Sequence, residues 1–173
     1  MNYSIEKISS LIAHVPNFPK EGINFKDITP ILQNGEAFRA LTHYFAESIP
    51  ESVTKLAAIE SRGFIFAASI AHHLGLGIVL VRKPGKLPRE TYEHSYGLEY
   101  GQDTLQIHRD ALKSDDRVVI IDDVLATGGT AAAVEKLCEV SGATILGHRF
   151  LMEIESLNGR KKLNYPVSSF IRC

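Results

Sequence analysis

A hydrophobic run that leads into two acids and a glycine-rich turn, Val118–Thr130, constrains the fold of this chain more than any other stretch. Its first four residues are β-branched and predict a strand buried on both faces, as in a parallel sheet covered by helices. Asp122 and Asp123 come where this strand is predicted to end, and a helix-forming run, residues 131–140, follows the turn. Because a helix N-terminus presents unpaired backbone N–H groups, this order predicts an anion-binding site.

The composition of the turn favours phosphate as the anion. Gly128 and Gly129 let the backbone approach phosphate oxygens closely, and Thr127 and Thr130 offer hydroxyl donors. Two glycines and two threonines are poor choices for helix stability, which argues against a simple capped helix with solvated acids. The run lacks both the Gly-Lys-Ser/Thr ending of nucleoside triphosphate loops and the GxGxxG dinucleotide pattern. A phosphorylated sugar fits better, since the acids suit its hydroxyls or a Mg²⁺ shell.

Length and composition predict one soluble domain. The 173 residues can bury a single core, and 45% hydrophobic and 23% charged residues are typical of a globular protein. A net charge of −1 gives no electrostatic case for binding nucleic acid or an anionic membrane. The first ten residues have no apolar signal core, and Cys138 and Cys173 have no metal spacing. We therefore expect a cytoplasmic protein with no nucleic-acid or membrane partner.

Strand and helix patterns alternate along the chain and predict an α/β fold with a mainly parallel sheet. Helices are expected over residues 4–13, 34–49, 64–74 and 131–140. Strands are expected over residues 56–59, 77–81, 104–108, 118–121 and 144–152. Residues 15–32 and 82–101 contain repeated proline and glycine and are expected to be irregular. Because ligands bind beyond the carboxyl ends of parallel strands, the turns after residues 59, 81 and 121 should share one edge.

Two of these turns carry positive charge. Arg62 follows the first strand and either grips phosphate oxygens or is simply solvated. The next strand is followed by a basic cluster, which consists of Arg82, Lys83, Lys86 and Arg89. Such a cluster is either a solvated surface or a means of stabilising negative charge on a leaving group.

Val118–Thr130 resembles the phosphoribosyl-pyrophosphate (PRPP) motif of type I phosphoribosyltransferases, and its ending is similar to that of the adenine-specific branch. The resemblance extends from about residue 18 to 163. It includes four more motifs in the expected order: Glu60-Ser-Arg-Gly-Phe64, Arg82-Lys83, Gly85-Lys-Leu-Pro88 and Leu98-Glu-Tyr-Gly101. The resemblance implies the type I phosphoribosyltransferase fold, a mainly parallel twisted sheet flanked by helices. That fold adds a small N-terminal hood (about 15–32) and a mobile lid loop (about 84–101).

The resemblance also implies how the two ends of PRPP are bound. The residues implied to bind the 5-phosphate are Ala126, Thr127, Gly128, Gly129 and Thr130. Asp122 and Asp123 are implied to hold the ribose hydroxyls. The residues implied to bind pyrophosphate are Ser61, Arg62, Arg82, Lys83 and Lys86.

For the base, the implied contacts lie in the hood, in the lid and after a later strand. The implied adenine-binding residues are Asn24, Phe25, Lys26 and Ile154. Related enzymes often carry an aliphatic residue and an arginine in place of the hood's asparagine and lysine, and both departures are tolerable if the base is recognised through the main chain. A core isoleucine is the alternative for the last residue. In the lid, Glu99 is the implied catalytic acid/base, or else a surface glutamate, and Tyr100 is a lid residue.

The implied reaction is transfer of the 5-phosphoribosyl group from PRPP to N9 of adenine, giving AMP and pyrophosphate in purine salvage. Mg²⁺ is the expected cofactor, held mainly by PRPP and water and not by direct protein ligands. A homodimer is expected. One alternative is a transferase for hypoxanthine/guanine, xanthine or orotate. The other is a non-catalytic PRPP-sensing regulator, which the absence of a basic recognition helix before the first core strand disfavours.

Overall fold

The computed structural model describes residues 3–98 and 101–173. The chain divides into two compact units, one ending at Glu47 and the other beginning at Ser48. The prediction of a single domain over residues 1–173 stays a prediction. Among the described residues, no helix is long and apolar enough to cross a membrane.

The first unit contains a hairpin and short helices. Its elements are α1 (Ile5–Ser9), β1 (Ala13–Pro16), β2 (Asn24–Asp27), α2 (Thr29–Gln33) and α3 (Gly35–Ser48), whose last residue opens the second unit. Asn34 caps α3, because its Oδ1 accepts a hydrogen bond from the Ala37 N–H at 3.0 Å. β1 and β2 pair antiparallel, so the expectation that residues 15–32 are irregular is wrong. The prolines do not prevent pairing, since Pro16 ends β1 and Pro19 lies in the connection.

The second unit is built on a five-stranded sheet in which every neighbouring pair is parallel. Its strands, in the spatial order β4-β3-β7-β8-β9, are β4 (Gly77–Val81), β3 (Lys55–Ile59), β7 (Arg117–Leu125), β8 (Thr144–Glu153) and β9 (Val167–Arg172). Helix α4 (Arg62–Leu74) connects β3 to β4, and α5 (Gly129–Val140) connects β7 to β8. The predicted α/β fold class with a parallel sheet is confirmed.

The central strand β7 is longer than its hydrophobic pattern indicated. Residues 118–121 are fully buried, as expected for a strand covered on both faces. Pairing with β3 stops at Ile121, but pairing with β8 continues to Leu125. Asp122 and Asp123 therefore lie within the strand, and the prediction that they follow its end is wrong. Beyond Ile121, the backbone of β7 stays paired with β8 although its pairing with β3 has ended.

A second antiparallel hairpin, β5 (Thr91–Leu98) and β6 (Gly101–His108), precedes β7. The expectation of an irregular segment over residues 82–101 is wrong for β5. Its polar residues suit a two-stranded ribbon that is partly open to solvent, which leaves a weak hydrophobic pattern. Two short 3₁₀ helices, Glu155–Leu157 and Gly159–Lys162, connect β8 to β9.

Candidate functional site

The turn between β7 and α5, residues 126–130, forms an open helix start that we call the phosphate loop. Gly128 occupies the N-cap position with φ at 79°, a left-handed conformation that favours glycine. Within the described parts of the chain, no side chain caps α5. Asp122, Thr127, Thr130 and Phe150 are among the residues that line a pocket of about 70 Å³ beside the loop. The predicted phosphate residues are therefore brought together around a helix N-terminus suited to an anion.

Gly159, which the sequence analysis did not single out, supports the back of this loop. A Cβ atom on Gly159 would overlap the carbonyl oxygen of Ala126 and lie 2.9 Å from the Gly128 nitrogen. A Cβ atom on Gly128 would in turn overlap the carbonyl oxygen of Gly159. The two backbones touch with no room for a side chain, so the 3₁₀ helix at Gly159–Lys162 fixes the position of the loop.

Near the end of β7, one of the two acids forms an ion pair and the other caps a backbone N–H. Arg62 Nε lies 2.7 Å from Asp123 Oδ2, and the Asp122 carboxylate accepts a hydrogen bond from the Asp123 N–H at 2.9 Å. The ion pair is close but poorly aligned, since Asp123 Oδ2 is buried and accepts no hydrogen bond from any residue that the structure describes. Gly63, another glycine not singled out, lets α4 approach this pair, because a Cβ there would lie 2.8 Å from the Ile121 oxygen.

Burial raises the pKa of Asp122 well above its ordinary value, and the charge of Asp123 adds to this effect. Burial also raises the pKa of Asp123, although the Arg62 guanidinium opposes it. Carboxylates whose charge is this costly favour a ligand that presents hydroxyl donors or positive charge. The ribose-binding role of the pair stays a prediction.

The turn after β3 meets the turn after β4 through Glu60, whose role the sequence analysis missed. Its carboxylate accepts hydrogen bonds from Arg82 Nη2 at 2.9 Å, Arg82 Nε at 3.3 Å and the Lys83 N–H at 3.0 Å. Hydrogen bonding by Arg82 lowers the pKa of Glu60. The carboxylate thus holds the start of the basic cluster, and Arg82 Nη1 also donates to the Lys86 carbonyl at 3.1 Å.

The other predicted pyrophosphate residues lie around these turns. Ser61 is the N-cap residue of α4, and the Glu60–Ser61 peptide bond is cis. Lys83 Nζ forms an ion pair with Asp103 of β6 at 3.2 Å, and Lys86 is exposed. The structure brings the cations together at the carboxyl ends of β3 and β4, and their contact with pyrophosphate stays a prediction.

The β5–β6 hairpin reaches the phosphate loop through Tyr96. Its hydroxyl lies 3.1 Å from Thr130 Oγ1 and 3.5 Å from Asp103 Oδ2. Its ring lies against Gly129, where a Cβ atom would be 3.4 Å from Tyr96 Cδ2. Part of the predicted lid is therefore a strand that contacts α5. Glu99, the predicted catalytic acid/base, and Tyr100, the predicted lid residue, lie outside the described residues.

The predicted adenine-binding residues lie in both units. In the first unit, Asn24 is exposed at the start of β2, and the Phe25 ring meets the Phe18 ring edge-on at 5.2 Å. Lys26 Nζ is hydrogen-bonded to His14 Nδ1 at 2.9 Å. In the second unit, Ile154 is only partly buried, and its N–H donates to the carbonyl oxygen of the last β7 residue at 2.9 Å. Ile154 is thus not a fully buried core residue, and its contact with a base stays a prediction.

A buried polar cluster supports α5 from the side opposite solvent and was not predicted. Glu135 and His148 are both fully buried, and His148 Nε2 lies 2.8 Å from Glu135 Oε1. The same carboxylate accepts hydrogen bonds from the backbone and side-chain nitrogens of Asn164. Burial lowers the pKa of His148, so the neutral imidazole is favoured as a donor to the carboxylate. The cluster ties α5 to β8 and to the segment before β9.

Comparison with known proteins agrees with this geometry. Residues 27–162 match the phosphoribosyl transferase domain family. An adenine phosphoribosyltransferase of Carboxydothermus hydrogenoformans is 55% identical over 157 residues, covering 90% of this chain and 92% of that protein. The chain belongs to the adenine phosphoribosyltransferase family.

Solved adenine phosphoribosyltransferase structures match the fold over nearly the whole chain. The enzyme of Thermoanaerobacter pseudethanolicus superposes with a TM-score of 0.95 and 48% identity, covering 98% of this chain and 100% of that one. The Saccharomyces cerevisiae enzyme, solved with an imino-altritol bisphosphate and adenine, gives 0.93 and 40%, covering 96% and 97%. Adenine phosphoribosyltransferases are glycosyltransferases, so the chain is an enzyme of that class.

Proposed function

We propose that this protein transfers the 5-phosphoribosyl group of PRPP to N9 of adenine and releases pyrophosphate, forming AMP in purine salvage. The observation that carries the proposal is the uncapped start of α5, held beside two acids, Asp122 partly buried and Asp123 buried, whose pKa values are raised. An anion site and a hydroxyl site thus lie side by side, as a ribose 5-phosphate group requires. The family relationship and the adenine bound to the yeast relative support the choice of base.

The phosphoribosyl end of PRPP is held by the phosphate loop and the acid pair. In this proposal the N–H groups and hydroxyls of residues 126–130 bind the 5-phosphate, and Asp122 and Asp123 accept hydrogen bonds from the ribose hydroxyls. Cleavage of the glycosidic bond develops positive charge on the ribose ring. Because Asp122 and Asp123 lie on a paired strand, they hold the ribose ring in a fixed orientation as this charge develops. Holding the reacting groups in the correct geometry lowers the barrier.

The leaving pyrophosphate is stabilised by the basic turns. Ser61, Arg62, Arg82, Lys83 and Lys86 are the residues proposed to contact it. Their support comes from their common position at the ends of β3 and β4, and from Glu60, which orients the first two residues of the cluster. Positive charge at this place lowers the barrier because negative charge accumulates on pyrophosphate as the bond breaks.

For the base, we propose stacking on Phe25, cover from Ile154 and recognition of the purine edge by the main chain at Asn24 and Lys26. The Lys26 side chain is already hydrogen-bonded to His14, which supports a main-chain role for this residue. Glu99 is proposed to manage the purine proton as N9 attacks, with Tyr100 beside it.

Mg²⁺ is proposed as the cofactor, and the donors present fit it only in part. Within residues 3–98 and 101–173, no cluster of three or more His, Cys, Asp or Glu side chains is arranged to hold a metal ion. The ion would therefore be held mainly by PRPP and water, with no direct protein ligand, as suits the strong hydration of Mg²⁺. When bound, the ion neutralises charge on pyrophosphate.

A cytoplasmic homodimer is also proposed. β4 is an edge strand, and its Ile78 and Leu80 side chains are 38% and 43% exposed. Exposed apolar residues on an edge strand favour burial against another surface. Light scattering after size-exclusion chromatography tests this. We expect a dimer that Leu80→Asp converts to monomer, while Val140→Asp, at an exposed position on α5, does not. A monomeric wild-type protein would contradict the proposed homodimer.

The reaction is tested by initial rates with PRPP and Mg²⁺ against adenine, hypoxanthine, guanine, xanthine and orotate. We expect AMP and pyrophosphate from adenine alone. Asp123→Asn should lose most of this activity, whereas Asp115→Asn, at an exposed position, should retain it. Turnover of another base instead of adenine would overturn the base assignment. Binding of PRPP without turnover of any base would favour the alternative of a non-catalytic PRPP-sensing regulator.

A further inference from the structure

A chain of polar contacts joins the two predicted ends of the PRPP site through the β5–β6 hairpin. Thr130 Oγ1 lies 3.1 Å from the Tyr96 hydroxyl, which lies 3.5 Å from Asp103 Oδ2. The same Asp103 oxygen lies 3.2 Å from Lys83 Nζ. One end of the chain is thus a phosphate-loop hydroxyl, and the other is a proposed pyrophosphate cation.

The hydrogen atoms of this chain can take two arrangements, because the Tyr96 hydroxyl can donate to Asp103 Oδ2 or to Thr130 Oγ1. Tyr96 has one hydrogen, and the shorter of its two contacts is to Thr130. The Asp103 carboxylate already receives the Lys83 ammonium and the Thr104 N–H, the latter at 2.9 Å. If Tyr96 donates to Thr130, the single Thr130 hydrogen is left to point elsewhere, and phosphate is a partner that only accepts.

We propose that Tyr96 is a positioning residue: its hydroxyl donates to Thr130 and thereby orients the Thr130 hydroxyl toward the 5-phosphate of PRPP. This inference deepens the proposed function and rests on it. Burial raises the pKa of Tyr96, so the hydroxyl keeps its hydrogen as pH rises beyond the ordinary range of tyrosine.

The Tyr96 ring is held independently of its hydroxyl, so the two contributions can be separated. The ring packs against Gly129 and against the buried core cluster that includes residues of β3, β4 and α5. Tyr96→Phe keeps this packing and removes only the donor. Tyr92 lies on the same strand and packs against the same cluster, which makes Tyr92→Phe a matched control.

The test measures KM for PRPP, KM for adenine and kcat in Tyr96→Phe, with dissociation constants for ribose 5-phosphate by calorimetry. We expect KM for PRPP and the ribose 5-phosphate constant to rise by roughly 3- to 10-fold, the usual effect of one hydrogen bond. The adenine KM, kcat and thermal midpoint should stay near wild type, as should every parameter of Tyr92→Phe. A purely structural role would lower the thermal midpoint instead.

A double-mutant cycle with Thr130→Val isolates the contact. The two losses should not add, because the tyrosine acts only through the threonine hydroxyl. Thr130→Ser, which keeps the hydroxyl, should retain the sensitivity to Tyr96→Phe. Additive losses, or a Tyr96→Phe protein with wild-type binding of ribose 5-phosphate, overturn the inference. Calorimetry measures binding without turnover, so the two proposals can fail separately. If the wild-type protein binds ribose 5-phosphate but does not convert adenine, only the proposed reaction is contradicted.

Discussion

Replacement of Gly159 by alanine tests whether the 3₁₀ helix fixes the phosphate loop. The added Cβ would overlap the Ala126 oxygen and lie 2.9 Å from the Gly128 nitrogen, whereas ordinary contact begins at 3.4 Å. Both neighbours are backbone atoms that cannot rotate away, so the loop must move as a unit. Overpacking of this kind costs about 1–3 kcal/mol in the free energy of unfolding. A displacement of about 1 Å in a substrate-positioning segment costs roughly 100-fold in rate.

We therefore expect Gly159→Ala to lower the thermal midpoint by several degrees and to lower kcat/KM for PRPP by roughly 100-fold. Thermal scanning and initial rates measure these two quantities, and KM for adenine should change far less. The control is Gly35→Ala, because a Cβ there meets nothing within 4 Å. A Gly159→Ala protein with wild-type PRPP kinetics would show that the loop does not depend on this contact.

Three further results are expected. The raised pKa of Asp122 means that the folded state binds this proton more tightly than the unfolded chain, so the free energy of unfolding falls as pH rises above 3.8 through the raised value. Asp122→Asn should therefore raise the thermal midpoint at neutral pH and weaken its pH dependence; an unchanged profile would argue against the raised pKa. Burial raises the pKa of the Cys138 thiol to about 12, so iodoacetamide should label exposed Cys173 alone in the native protein, and mass spectrometry counts the labels. Glu135→Leu leaves buried donors of His148 and its neighbours unpaired and should lower the free energy of unfolding by about 3–5 kcal/mol in urea titration; a smaller loss would mean that water replaces the carboxylate.

The parts of the molecule that the sequence predicted best are those whose signal is local. The hydrophobic start of β7, the glycines of the phosphate loop and the start of α5 are adjacent in the chain, so their order alone indicated the site. The extent of β7 was wrong because it depends on β8, which continues to pair after β3 stops. The hydrophobic periodicity of one strand does not show which of its neighbouring strands ends first.

The supporting residues were missed for a related reason. Gly159 touches Ala126 and Gly128 across a long stretch of sequence, and nothing around it differs from an ordinary loop glycine. Glu60 likewise acts on Arg82, 22 residues away. Residues that support a site through distant partners have no local pattern, whereas residues that contact a phosphate often do.

Asp122 and Asp123 lie on a paired strand, whereas the predicted pyrophosphate cations lie at the start of α4 and in the turn after β4, so the two parts of the site should differ in mobility. Amide hydrogens of β7 should be among the slowest of the second unit to exchange with solvent, since the strand is buried and continuously paired to β8. Turn residues near Arg82 lie closer to solvent and should exchange sooner. In the proposed function, the acids that bind the ribose are therefore already ordered before the substrate binds. In the same proposal, the turns supply the adjustment to the incoming and departing phosphates.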